Sequence, residues 1–424
     1  MAERQVTRGG SLLYDSIADW LMDVALTGES DVQAVVDGAC HRLLAAGVPI
    51  ARVHIAFRTL HPLFAAVAYL WRPDTGAVSS NITHESVQLG RGWEASAYYY
   101  LVVNGLPHVR RRLTGENALL DFPVLKELRD DEGGTDYLAF AFRFQPQRPG
   151  ETRLRNGLMS GWMTDRKSGF TDDDINALIR VQKRIAVTAK VLINRQITDN
   201  VLHAYLGPGA GSRVLDGQIR RGDHEHIHAV IWYSDMRDST PLAEALEPDQ
   251  FFAMVNRYFE CTAGAVMDTG GEVLRFIGDA VLAIFPIGNG KTATARACRK
   301  ALKAAFEAEK RVDAANKDRK SEGLPLINWG LGLHVGDVLY GNIGVPERLE
   351  FSVIGSAANE AARLEGQTKL LKRRIVVSKA FADNAEGDWE NLGIKRLKGV
   401  DDPMEMFSPR PPTDADKVRR RKKR

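Results

Sequence analysis

The sequence predicts an α+β chain of two folded domains joined by a helical connector, and three observations carry that reading. The second half runs strand, helix, strand, strand, helix, strand, which is the ferredoxin-like order. The first half opens on helical periodicity, continues in short apolar strands and closes on a long helical stretch. A Gly/Pro cluster, Gly207-Pro208-Gly209-Ala210-Gly211, punctuates the chain between them. With 424 residues the chain can support two to three separate cores.

The spacing of Ile17, Trp20, Leu21 and Val24, then of Val32, Val35, Val36, Leu43 and Leu44, predicts helices, with Ser30-Asp31 as a helix start. Strands are expected at 53–57, 64–70, 137–142 and 157–163. Thr171-Asp172-Asp173-Asp174 then supplies an N-cap and acids for the first turn of a helix that runs to Arg195 or beyond. Helix, antiparallel strands and closing helix, with Gly169-Phe170-Thr171 opening the last, resemble a GAF-type sensor domain over 1–195. No residue set names a ligand, and a domain used only for dimerisation stays open. Trp93, Tyr98, Tyr99 and Tyr100 read as core packing before pocket lining. Residues 196–223 read as the connector.

In the second half, Gly271 to Pro286 reads as two short apolar strands joined at Ile277-Gly278-Asp279. Glycine permits the bend and aspartate tolerates turn geometry. Upstream, another apolar strand, Ala229 to Ser234, ends on Asp235. Two carboxylates on strand ends suit a hard cation such as Mg²⁺ with room left for phosphate, and so point to phosphoryl or nucleotidyl transfer. Helices are expected at 248–270, 294–320 and 357–369. Strands are expected at 328–335, 338–343, 374–377, 393–400 and 404–407.

Five pieces, in order, resemble a class III nucleotidyl cyclase domain. They are Ser234-Asp235-Met236-Arg237, Arg275-Phe276-Ile277-Gly278-Asp279, Gly332 to Gly344, Phe351-Ser352-Val353-Ile354-Gly355, and Ala358-Asn359-Glu360-Ala361-Ala362-Arg363-Leu364-Glu365. The resemblance covers about Gln218 to Phe407, and a catalytic domain is expected over 224–410. It implies that Asp235 and Asp279, with the Met236 carbonyl, hold two Mg²⁺ or Mn²⁺ ions. It implies that Asn359 orients the ribose, that Arg363 stabilises phosphate charge, and that Lys398 binds phosphate. Arg275 and Ser352 fall at the base-selecting positions. A cation at 275 argues against guanine, so ATP is the expected substrate and cyclic AMP the product. Guanylate cyclase and a silent nucleotide-binding module are the alternatives. The family's site forms between two subunits and this chain carries both half-sets, so a homodimer is expected.

Composition excludes other classes. A net charge of +3 does not describe a nucleic-acid binder. The three cysteines, Cys40, Cys261 and Cys298, have no metal or redox spacing, and a reducing, cytoplasmic setting follows. No signal peptide is apparent, and the longest apolar stretch, near Leu63 to Trp71, is too short for a transmembrane segment. His224, His226 and His228 would share a strand face, where zinc is possible, but a solvated strand start is the default. Gly288-Asn289-Gly290-Lys291-Thr292 is no P-loop, because Phe285 stands where the first glycine belongs. Residues 411–424 read as a basic, disordered tail.

Overall fold

The computed structural model describes residues 2–85, 92–146, 154, 156–400 and 402–410, so the basic tail lies outside the described residues. The chain divides into two compact units, 1–201 and 202–424.

In the first unit the helices α1 (Ala2–Thr27) and α2 (Val32–Ala45) precede β1 (Arg52–Arg58), β2 (Phe64–Arg72) and β3 (Gly76–Thr83). Asp31 caps α2, its carboxylate accepting the Ala34 N–H at 2.7 Å. Then come α3 (Ala97–Asn104), β4 (His108–Arg112), α4 (Pro123–Asp130), β5 (Asp136–Arg143), β6 (Gly157–Thr164) and α5 (Asp172–Leu206). The sheet is antiparallel throughout, in the order β3-β2-β1-β6-β5-β4. Leu21, Val35, Leu43, Trp71, Trp162, Leu178 and Ile185 fill one core, and Leu101, Leu125, Leu128 and Tyr137 fill another. β3 and β4 were not among the expected strands. The polar run at 79–81 and the arginines at 110–112 hide their alternation. Thr171 and Asp174 exchange hydrogen bonds at the start of α5, a capping box with an acid as its second member. α5 runs past residue 195 without a break and carries the chain into the second unit.

The second unit continues with α6 (Pro208–Leu215), β7 (His224–Met236), α7 (Ser239–Ala245), α8 (Pro248–Asp268), β8 (Glu272–Ile277), β9 (Ala280–Pro286) and α9 (Ala293–Ser321). It ends with β10 (Trp329–Val345), β11 (Arg348–Ile354), α10 (Ser356–Leu370), β12 (Ile375–Ser378), α11 (Lys379–Ala382), β13 (Trp389–Lys395) and β14 (Met404–Pro409). The sheet order is β13-β14-β12-β10-β7-β9-β8, with β11 also pairing β10. Within it, β10-β7-β9-β8 is the antiparallel ferredoxin-like core that the sequence order predicts. β7 is apolar on both faces. Val230 and Trp232 join the core under α8 and α9, and Ala229 and Ile231 join the opposite one. Each large side chain fully buried there contributes about 1.5–3 kcal/mol. α9 packs a stripe of alanines, among them Ala297, Ala301, Ala304 and Ala308.

Two local expectations change, and the connector gains a defined place. The strands expected at 328–335 and 338–343 are one strand, because β10 keeps register with β7 from Trp329↔Met236 through Asp337↔His228 to Gly341↔His224. The strand placed at 393–400 begins at Trp389, and Gly393 sits beside a register shift instead of opening it. The connector is packed onto the sheet. Leu206 and Ala210 lie against Ala229, Ile231 and Tyr340, and a side chain at Gly209 would collide with Glu272. Among the described residues no helix is long and apolar enough to cross a membrane.

Candidate active site

Asp235 is the penultimate residue of β7, in register with Gly330 of β10. The strand end beneath it is fixed by Ser234, whose buried hydroxyl accepts the Trp232 Nε1–H and the Tyr258 O–H, each at 3.0 Å. β9 lies on the other side of β7, with Val281 opposite Ser234. The β8–β9 turn places Gly278, at φ +63°, just before Asp279. The two acids are therefore on neighbouring strand ends, as the sequence pattern requires.

Burial, followed by the adjacent Asp279 carboxylate, pushes the Asp235 carboxyl up to about 7, and Glu365 adds to the effect. Asp235 Oδ1 and Asp279 Oδ2 are both buried and have no hydrogen-bond partner among the described residues. Anionic oxygens sequestered without a donor are costly, and a divalent cation is the species that would satisfy both. The donor set fits Mg²⁺ or Mn²⁺. It is all oxygen, and it is too small to close a coordination shell, which leaves positions for water and phosphate. Among the described residues there is no group of three or more His, Cys, Asp or Glu arranged to hold a metal. His224, His226 and His228 are exposed, and His228 Nδ1 pairs with Asp337 Oδ1 at 2.8 Å.

Glu365, to which the sequence pattern assigns no role, is a third carboxyl at this place. Burial raises its pKa, while Thr368 and Arg237 oppose the rise. Its position depends on glycines. A side chain at Gly330 would collide with Thr368 and Glu365, and one at Gly332 with the Ala361 carbonyl. α10 thus lies directly on β10. The signal was present in Gly330-Leu331-Gly332, whose alternate glycines share one strand face.

Of the remaining expected residues, Met236 directly follows Asp235 as the last residue of β7 and is buried. Ala357, Ala361, Leu364 and Thr368 form the buried side of α10, and Asn359 and Arg363 are exposed. Lys398 is exposed in the turn that follows β13. Among the described residues no hydrogen bond or ion pair joins Asn359, Arg363 or Lys398 to Asp235 or Asp279. Ser352 is buried on β11 in register with Gly341. Arg275 Nε lies 2.9 Å from Glu350 Oε1, two residues before Ser352. Glu350 is a second residue that the sequence pattern did not single out.

Residues 223–408 match the family model described as the adenylate and guanylate cyclase catalytic domain. The chain is 35% identical over 188 residues to an adenylate cyclase of Anabaena cylindrica, a match covering 42% of this chain and 36% of that protein. It is 28% identical over 177 residues to adenylate cyclase 1 of Rhizobium meliloti, covering 41% and 26%. The chain thus spans about a third or less of the length of these relatives. Among solved structures it is similar to the adenylyl cyclase CyaB from P. aeruginosa, at 20% identity and a TM-score of 0.41 over 45% of this chain and 98% of that one. Residues 223–408 are a class III cyclase catalytic domain of mixed α+β content.

Proposed function

We propose that the protein is an adenylate cyclase that converts ATP to 3′,5′-cyclic AMP and pyrophosphate at two equivalent sites between two copies of the chain. The observation that carries this reading is the pair Asp235 and Asp279, half-buried on neighbouring strand ends with one buried, unpartnered oxygen each. When bound there, the divalent cations would supply charge stabilisation to the entering and leaving oxygens of the displacement. Asp235 and Asp279, with the Met236 carbonyl, would hold them. Asn359 and Arg363 are exposed on the side of α10 away from the sheet, which supports their serving a second copy. Asn359 there orients the ribose, and the planar fork of Arg363 takes charge on the phosphates. Lys398 reaches the phosphates from its exposed turn.

Arg275 donates to adenine N1 and the Ser352 hydroxyl accepts from the adenine amino group. Glu350 supports a second reading. Its carboxylate beside Arg275 is an acceptor of the kind guanine requires, which makes GTP the alternative substrate. The first unit, a six-stranded antiparallel sheet followed by a helix that enters the second unit, supports a GAF-like sensor acting on the subunit arrangement. The test is product formation by the purified full chain with ATP and with GTP, each with Mg²⁺ or Mn²⁺, read by mass spectrometry. Cyclic AMP that disappears in Asp235→Ala and Asp279→Ala supports the reading. No cyclic nucleotide under any of these conditions overturns it.

A further inference from the structure

His334 lies on β10, on the strand face that carries Gly330, Gly332 and Gly336 beneath α10. It is 8% exposed, and both ring nitrogens are engaged. Nδ1 is 2.9 Å from Ser378 Oγ, and Nε2 is 3.0 Å from Glu360 Oε2. Ser378 also caps α11, its hydroxyl oxygen accepting the Phe381 N–H at 3.3 Å. One tautomer satisfies the whole chain. Phe381 N–H donates to Ser378, the Ser378 O–H donates to Nδ1, and Nε2–H donates to Glu360.

The surroundings permit little movement. A side chain at Gly336 would stand 2.6 Å from Ala357 Cβ and 3.1 Å from the ring nitrogen. Burial, then the neighbouring His228, lower the imidazole pKa to about 4. Burial raises Glu360, and Ser356 opposes that rise. His228 is itself paired with Asp337. His334 is therefore neutral near pH 7, and it holds its partners by geometry, not by charge.

Glu360 is the residue that matters for chemistry, because it follows Asn359 directly and precedes Arg363 by three. We propose that His334 is a positioning residue of the active site. It fixes Glu360 to the end of β12 and so sets where α10 presents Asn359 and Arg363. The proposal rests on the reading of those two residues as substrate contacts. Asn359 and Arg363 act on charge and geometry in the transition state, so a loosened helix lowers kcat more than it raises KM.

The experiment compares wild type, His334→Ala, His334→Gln and Ser378→Ala as full chains. It measures kcat and KM for the cyclisation, the thermal unfolding midpoint, and hydrogen exchange across 356–370. His334→Ala is expected to stay folded, to lose up to about 10²-fold in kcat with little change in KM, and to exchange faster across α10. His334→Gln, whose amide both donates and accepts, is expected to recover most of the loss. Ser378→Ala, which removes one end of the chain of bonds, is expected to lie between them, and it carries the test if His334→Ala does not fold. An unchanged kcat per folded molecule, or glutamine no better than alanine, overturns the proposal. If wild type makes no cyclic nucleotide, the cyclase reading fails separately. The exchange of α10 then decides whether His334 fixes the helix, and unchanged exchange in His334→Ala overturns it.

Discussion

Asp235 of β7 and Gly330 of β10 are register partners, and the missing side chain at Gly330 is what lets Glu365 and Thr368 of α10 settle beside this strand end. The end of β7 and α10 are thus spaced by one glycine. Gly330→Ala forces α10 outward. The expected cost is about 1–3 kcal/mol, typical of overpacking, read as a lower unfolding midpoint. Cyclase activity should fall further than folded protein does. Full activity with an unchanged midpoint would show that the close approach is not needed.

The raised Asp235 pKa gives a pH dependence with a definite sign. An unfolded aspartate releases its proton near 3.8, whereas in the folded, cation-free protein Asp235 keeps it to about 7. The folded state binds more protons in that window, so stability contributed by this group is complete below about 4 and is lost as pH rises towards about 7. Without divalent cation, wild type should lose stability across this range relative to Asp235→Asn, in which the titrating group is gone. Saturating Mg²⁺ should close the gap, because a bound cation replaces the proton. Parallel pH profiles for the two proteins would contradict the assignment.

Removing Glu365 tests the third carboxyl. Glu365→Gln keeps the shape beneath α10 and takes away a group that raises Asp235. The Asp235 titration should move down, and the divalent-ion concentration needed for half-maximal activity should rise, because less negative charge faces the cation. Titration of activity with Mn²⁺ checks both the direction and the size. A lower requirement would show that Glu365 hinders cation binding.

Glu350 tests base selection. The pair with Arg275 is half-exposed on both sides, so breaking it should change stability by no more than about 1 kcal/mol. Glu350→Gln removes the acceptor that suits guanine. The ratio of kcat/KM for ATP over GTP is expected to rise by about tenfold, the value of one charged hydrogen bond. A ratio that falls would assign Glu350 to adenine recognition instead.

Much of this was legible in the sequence, and the parts that were not have physical causes. The core order of the second unit followed from alternating apolar runs, and the acid pair followed from strands that end on aspartate. Asp31 and Thr171 announced their helices by capping chemistry. β4 was hidden because Arg110 and Arg112 reach from its strand to the buried Asp136, so charges occupy positions where apolar residues would normally mark a strand. The single long β10 was read as two strands because Gly336-Asp337 looks like a turn. Pairing with β7 overrides that local preference. Glu350, Glu365 and the His334–Glu360 contact were invisible for another reason. Each joins positions far apart in the chain, or depends on a glycine that makes room, and no spacing rule encodes that.

A site shared between two copies of the chain can be tested by complementation. Asp279→Ala and Arg363→Ala chains are expected to be inactive alone. Co-folded in equal amounts, half of the dimers should carry one chain of each kind. Every mixed dimer should contain one intact site, giving about a quarter of wild-type cyclic nucleotide production by mass spectrometry. A mixture as silent as its parents, beside an active wild type and with mixed dimers demonstrated, would rule out the shared site and place all the catalytic residues within one chain.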